Sequence, residues 1–525
     1  MCGIAGLWGS SDTDLVQRVM DGLVHRGPDG AGIHVQSGGV LGHRRLAIMD
    51  PQGGAQPLYD ESRGLAIVAN GEIYNFPGLR HELMDRHAFT TTSDTEAILH
   101  LFEERSGATP AALEGMFAFA ICDEDRLFLA RDPIGIKPLY YGRAVDASGG
   151  SVTVFASEMK ALADFVDDLH EFPAGHYYDS QVGFVPYYRV PMAPPVQRSV
   201  EDHITLVREG LERAVLSHLM SDVPVGAFLS GGLDSSVIAA IARRHVDELH
   251  TFSVGLPGSR DIEAARRVAA HIGSIHHEYL MTRSEVVEKL PEIVHALESF
   301  DQDLVRSAIP TYFCSRLAAE HVKVILTGEG ADELFAGYAY HKALRDPATL
   351  HRELSRSVST LHNINLQRVD RLTMLHSLEA RVPFLDTGFI ALALSVPAEL
   401  KLAPTSDGRL SEKWVLRMAC QDLLPPDIVW RSKEQFDEGS GTLDLLGEAL
   451  GPLLEDIDLD AYRVATDEPV RSAEEALYHR MLCASYARPE LILRNVARWT
   501  EDRLEQSHDA AVGVDVDVLA AGLRG

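Results

Sequence analysis

Two domains of different architecture are predicted: a largely antiparallel β domain with some helix over residues 1–190, then a parallel-sheet α/β domain over 191–506, with 507–525 as a flexible tail. Three observations predict this. The chain has 525 residues, more than a single hydrophobic core usually organises. The first ~190 residues carry short apolar runs separated by turn residues. After a Pro-rich stretch at 186–195 (PYYRVPMAPP), apolar runs end in Gly-rich turns and alternate with helical patterns.

In the first domain the expected strands cover 38–48, 64–68, 117–122, 127–130 and 152–156. In the second, 225–229 reads as a buried strand, followed by a Gly-rich turn and a helix from about Ser236. A second strand at 251–254 leads to a helix from about Asp261, with Ile262, Ala265, Val268, Ala269 and Ile272 on one face. A third strand, 322–326, ends in another Gly-rich turn. Parallel sheets built this way bind ligands at the carboxyl ends of their strands.

Composition narrows the function. Apolar residues make up 46% and charged residues 24%, as in globular proteins. The formal charge of −29 lacks the positive footprint that a nucleic-acid backbone requires. No apolar run reaches eighteen residues, so no membrane span is expected. The start, MCGIAG, has no basic n-region and does not read as a secretion signal. The five cysteines, Cys2, Cys122, Cys314, Cys420 and Cys483, are odd in number and widely spaced, which points to a reducing cytoplasm.

Removal of Met1 would place a thiol and an α-amine on one residue, Cys2. Such an amine has an ordinary pKa near ~7.7–8.0 and can serve as base for its own thiol. A cysteine at position 2 carries little weight alone, but four motifs follow it: HRGPDG at 25–30, GHRRLAI at 42–48, NGEIYN at 70–75 and Ser93-Asp94. With the MCGIAG start they resemble the class II glutamine amidotransferases, the N-terminal-nucleophile glutaminases. The resemblance implies an αββα sandwich in which Cys2 attacks the glutamine amide carbon. It further implies that Asn70 and the Gly71 N–H hold the oxyanion, that Arg45 pairs with the glutamine α-carboxylate, and that Asp94, helped by Glu72, holds the α-ammonium. Arg26 and Asp29 read as a turn-stabilising pair.

The turn Ser230-Gly231-Gly232-Leu233-Asp234-Ser235-Ser236 offers backbone N–H groups and a helix N-terminus to an anion. It lacks the Gly-Lys-Ser/Thr of a Walker A loop. SGGLDSS resembles the pyrophosphate loop of the adenylating ATP pyrophosphatases, which make acyl-adenylates. That resemblance assigns ATP to Phe228, Leu229, the SGGLDSS turn, Val254, Thr327 and Gly328. It makes Asp234 and Asp332 candidates for Mg²⁺, whose hard character suits carboxylates beside phosphates. Glu329 would orient the acceptor or take a proton from ammonia, and Lys433 of RSKEQF would stabilise charge on the phosphates.

A Cys2 glutaminase followed by SGGLDSS is the layout of the glutamine-hydrolysing asparagine synthetase family. GMFAFA at 115–120, RDP at 131–133, ASEMKAL at 156–162 and EARVPFLD at 379–386 extend the likeness to about residue 500. It implies glutamine, ATP and a small carboxylate, L-aspartate, as substrates, an internal ammonia channel and, by family analogy, a homodimer. The acceptor region departs from the pattern. Asp303 and Leu304 stand where some members carry paired threonines, while Arg306 keeps the family's arginine as a carboxylate partner. Amidation of another carboxylic acid therefore stays open. The histidines His271, His276 and His277 show no metal-ligand spacing and read as surface or packing residues.

Overall fold

The computed structural model describes residues 2–60, 64–405, 408–432 and 439–498. Lys433 and the tail at 507–525 lie outside the described residues. Two compact units emerge, one of 2–189 together with residues from Cys483 onward, the other Val190–Leu482.

The first unit is built on two six-stranded antiparallel sheets. One runs, in spatial order, His170–Glu171, Tyr140–Val145, Ser151–Ala156, Gly3–Trp8, Gly39–Arg45 and Gly30–Val35. The other runs Gly183–Pro186, His176–Asp179, Leu127–Arg131, Gly115–Cys122, Leu65–Ile73 and Leu58–Asp60. Alternate residues of each strand point inward, so Ile4, Leu41 and Phe155 of the first sheet meet Val68, Ala118, Ala120 and Leu129 of the second in one buried core. Helix Thr13–Asp21 starts where Asp12 accepts from Leu15 N (3.0 Å). It packs Val16 and Met20 onto the outer face of the first sheet, over Gly42, where a side chain would collide with Met20. Helix Asp94–Arg105 covers the second sheet. The layers are helix, sheet, sheet, helix: the αββα sandwich.

The second unit is a five-stranded parallel sheet in the order Ile275–Leu280, His250–Gly255, Val225–Phe228, Val324–Leu326, Glu379–Arg381. From the central strand Val225–Phe228 the chain proceeds to one side through helices Leu233–Arg243 and Arg260–Ile272. It then crosses by helix Gln302–Ala319 to the other side. The direction of winding reverses between Val225–Phe228 and Val324–Leu326, and a crevice opens there at the carboxyl ends. EARVPFLD supplies the far edge: buried Arg381 pairs with Glu379 (2.6 Å) and donates to the His218 and Met220 carbonyls (2.7 and 2.5 Å). None of the five cysteines forms a disulfide, and among the described residues no helix is long and apolar enough to cross a membrane.

Lys401, at the end of helix Ala398–Lys401, is fully buried with no hydrogen-bond partner at Nζ among the described residues. Burial pulls it from 10.5 down to about 7. The unfolded chain keeps this proton to higher pH than the folded one, so the penalty is full below pH 7 and fades toward pH 10. Lys401→Met is therefore expected to stabilise the second unit, on the order of 4 kcal/mol at pH 6 and clearly less at pH 9. Denaturant midpoints at the two pH values check it.

Two candidate active sites

The first site lies where the central strand of one sheet begins against the middle of the other. Cys2 immediately precedes strand Gly3–Trp8 and is 8% exposed. Its N donates to Asn70 Oδ1 (2.9 Å), and its Sγ lies 3.9 Å from the Leu46 carbonyl. Asn70 is wholly buried in strand Leu65–Ile73, and its Nδ2 has no acceptor among the described residues. An unmet buried donor costs stability, and this one belongs to the side chain whose Oδ1 holds the Cys2 nitrogen. At Gly71 the backbone runs against the next strand so closely that a Cβ would strike the Met116 carbonyl, and φ is +156°. Only glycine fits there.

The surrounding residues hold this geometry. Arg26 is buried; its Nε donates to the Cys2 carbonyl (3.1 Å) and its Nη1 to Glu158 (2.6 Å). His25 (2.9 Å) and Lys160 (2.5 Å) also reach Glu158. Burial acts to raise the Glu158 carboxyl, yet His25, Lys160 and Arg26 outweigh it and hold it well below the usual range. ASEMKAL thus buttresses the Cys2 backbone through Arg26, a role beyond the turn-stabilising one expected for that arginine. Asp29 accepts from Ala47 N (2.8 Å). Arg45 is half-buried, with its guanidinium on the carbonyls of Met49 (3.3 Å), Asp50 (2.6 Å) and Pro51 (3.1 Å). Asp94 is buried at the start of its helix and accepts from Ile73 N (2.8 Å), which sets it beside the Gly71-Glu72 segment. His43, one residue from the cross-strand neighbour of Gly3, is fully buried and pushed down to about 3, chiefly by burial. It stays neutral and does not compete as an acid.

The second site is the crevice of the parallel sheet. Its lining includes Phe228, Leu229, Ser230, Gly232, Leu233, Asp234, Ser235, Val254, Thr327, Gly328, Glu329 and Asp332. Gly231 and Ser236 do not line it. Gly231 makes the turn at φ +71°, where a Cβ would strike Ala264, and Ser236 is buried. The turn is braced by Ser230 Oγ and Ser235 Oγ (3.1 Å) and by Gly232 N donating to Ser230 Oγ (3.3 Å). Gly232 gives helix Leu233–Arg243 no side-chain cap, which leaves its first amides for an anion.

A residue that sequence reasoning missed occupies the centre. Lys413 is 1% exposed, and its Nζ bridges Asp234 Oδ2 (2.5 Å) and Asp332 Oδ1 (2.6 Å). It sits at φ +57°, with its N donating to the Phe335 carbonyl (3.0 Å). Its stem passes Gly337, where any side chain would collide with Lys413 and Asp332. Asp234 Oδ1 remains buried with no partner among the described residues. A buried carboxylate oxygen left this way fits a further cation, so the donor set suits Mg²⁺. Next in sequence to Asp332, Glu333 is pushed up to about 7 by burial and by the Asp332 and Glu329 carboxylates, and Tyr338 donates to it (2.5 Å).

Glu329 forms an ion pair with Arg368 of helix Asn365–Met374. Thr311, Cys314 and Val369 also line the crevice, and burial pushes the Cys314 thiol up. Arg306 and Asp303 do not line it. Arg306 makes a two-point pair with Glu474 (2.9 and 2.6 Å), and Asp303 pairs with Arg471 (3.1 Å).

Known families match the two parts of the chain in order. The family described as Glutamine amidotransferase domain matches residues 1–187, and that described as Asparagine synthase matches 206–348 and 342–505. The chain is 42% identical to asparagine synthetase [glutamine-hydrolyzing] 3 of Arabidopsis thaliana, over 84% of this chain and 79% of the relative. It is 40% identical to asparagine synthetase 2 of the same plant, over 92% and 87%. With asparagine synthetase 2 of Oryza sativa subsp. japonica it shares 41% identity, over 84% and 78%. With both domains matched in order and identity of this degree across most of its length, the chain belongs to the family of glutamine-hydrolysing asparagine synthetases.

Proposed function

We propose that the chain converts L-aspartate, ATP and glutamine to L-asparagine, AMP, pyrophosphate and glutamate. The observation that carries this is the presence, in one chain, of a buried Cys2–Asn70 pair with an unmet donor and a Gly-rich cradle with an unmet carboxylate oxygen.

At the first site, with Met1 removed, the Cys2 amine takes the thiol proton and Sγ attacks the glutamine amide carbon. Asn70 serves twice: Oδ1 fixes the amine, and Nδ2, with the Gly71 N–H, receives the oxyanion. Arg45 and Asp94 bind the α-carboxylate and α-ammonium, with Glu72 beside them. The amine returns its proton to departing ammonia, and water releases glutamate from the thioester.

At the second site the aspartate side-chain carboxylate attacks the α-phosphorus of ATP, and pyrophosphate leaves. The SGGLDSS amides cradle the phosphates, while Lys413 and Lys433 balance their charge. Bound Mg²⁺, held by Asp234 and Asp332, would neutralise phosphate charge. Ammonia then attacks the acyl carbon, Glu329 accepts its proton, and AMP departs. The Asp303-Leu304 departure falls in an ion-pair cluster away from the crevice wall, so it gives no reason to favour a different acid.

Pyrophosphate release with glutamine, ATP and Mg²⁺ is the deciding measurement. Release that depends on L-aspartate, with asparagine formed, supports the reading. Glutamine hydrolysis without any response to aspartate would transfer the acceptor role to another carboxylic acid.

A further inference from the structure

Three imidazoles converge at the end of the parallel sheet opposite its crevice. His250 begins strand His250–Gly255, whose other end carries Val254 into the crevice. Four residue steps along the strand separate the two, ~13 Å. The parallel register pairs Phe252 with His277, and residues two apart on a strand share a face, so His250 and His277 fall on the same side of the sheet. The third imidazole, His321, arrives just past helix Gln302–Ala319, which packs on these strands, and its N donates to the Ala318 carbonyl (3.0 Å).

His250 Nδ1 and His277 Nε2 stand 2.9 Å apart, and one ring nitrogen from each of the three histidines lies within 4.8 Å of the others. The rings are stacked, His277 over His321 at 3.9 Å between centroids. His321 is exposed and can turn its lone pair toward the other two. Burial, together with the adjoining imidazoles, keeps His277 below the usual histidine range. We propose that His250, His277 and His321 form a site for one borderline divalent transition metal, zinc above all, with water completing the sphere. The ion would tie two strands to the loop before the next, as a structural clasp.

The test is calorimetric titration of the full chain with Zn²⁺ in a Cys2→Ser background, where that thiol supplies no ligand. One zinc per chain is expected, weakened at least about tenfold by His277→Gln and by His321→Gln. His276→Gln is expected to leave binding intact, since that ring turns to Thr251 (2.9 Å) and Ser253 (3.2 Å) instead. His321 is on the surface, so its variant keeps the test valid if His277→Gln misfolds. No zinc uptake by the His-intact chain, or an affinity that neither His277→Gln nor His321→Gln lowers, overturns the site.

Discussion

Cys2→Ala is expected to abolish glutamine-dependent synthesis, on the order of 10³-fold or more, while synthesis fed with ammonium salts continues. The variant keeps Asn70, Gly71 and Arg45, the oxyanion donors and carboxylate partner proposed for glutamine. It loses the one atom able to form the thioester. Alanine in an 8%-exposed position removes a single sulfur and leaves the backbone held by Arg26 and Asn70. Glutamate release and asparagine formation, each measured with glutamine and with ammonium chloride, separate the two chemistries. Loss of both activities together would refute the division of labour between the units.

Asp234→Asn is expected to depress pyrophosphate release by about 10²–10³-fold with either nitrogen source. The carboxylate meets Lys413 through one oxygen, and the other, buried, has no partner among the described residues. An amide keeps the shape but removes the charge that balances Lys413 and would hold Mg²⁺. Glutamine hydrolysis at Cys2 should persist, which shows that the variant folds. Unchanged pyrophosphate release would remove Asp234 from the nucleotide chemistry.

These two sites differ in how much of them the sequence disclosed. SGGLDSS was legible because a strand, a tight turn and a helix follow one another within a dozen residues, and local chemistry dictates each. The strand ends at Phe228, one residue short of the expected 229, and the helix begins at Leu233, earlier than Ser236. In the first unit the strand expected at 64–68 runs on through Ile73, carrying Asn70 and Gly71 inside it. Those polar residues broke the apolar pattern because they serve the site and not the core. Lys413 was not legible. It lies 179 residues from Asp234, and no glycine marks its left-handed backbone. Only the folded sheet brings Asp234, Asp332 and Lys413 together. Arg306 shows the converse: its family position suggested an acceptor partner, but Glu474, 168 residues away, takes the Nε–Nη2 edge of its guanidinium, and Nη1 faces Asp303 (3.7 Å).

Gly71 has a bearing on how such a gene would drift. Every replacement adds a carbon where the Met116 carbonyl already stands, so no neighbouring codon offers a half-functional compromise. Under the proposed division of labour the loss falls on nitrogen capture from glutamine. In a cell bathed in ammonium, changes at this codon would be nearly invisible to selection and could accumulate. Under nitrogen scarcity the same changes would be purged within a few generations.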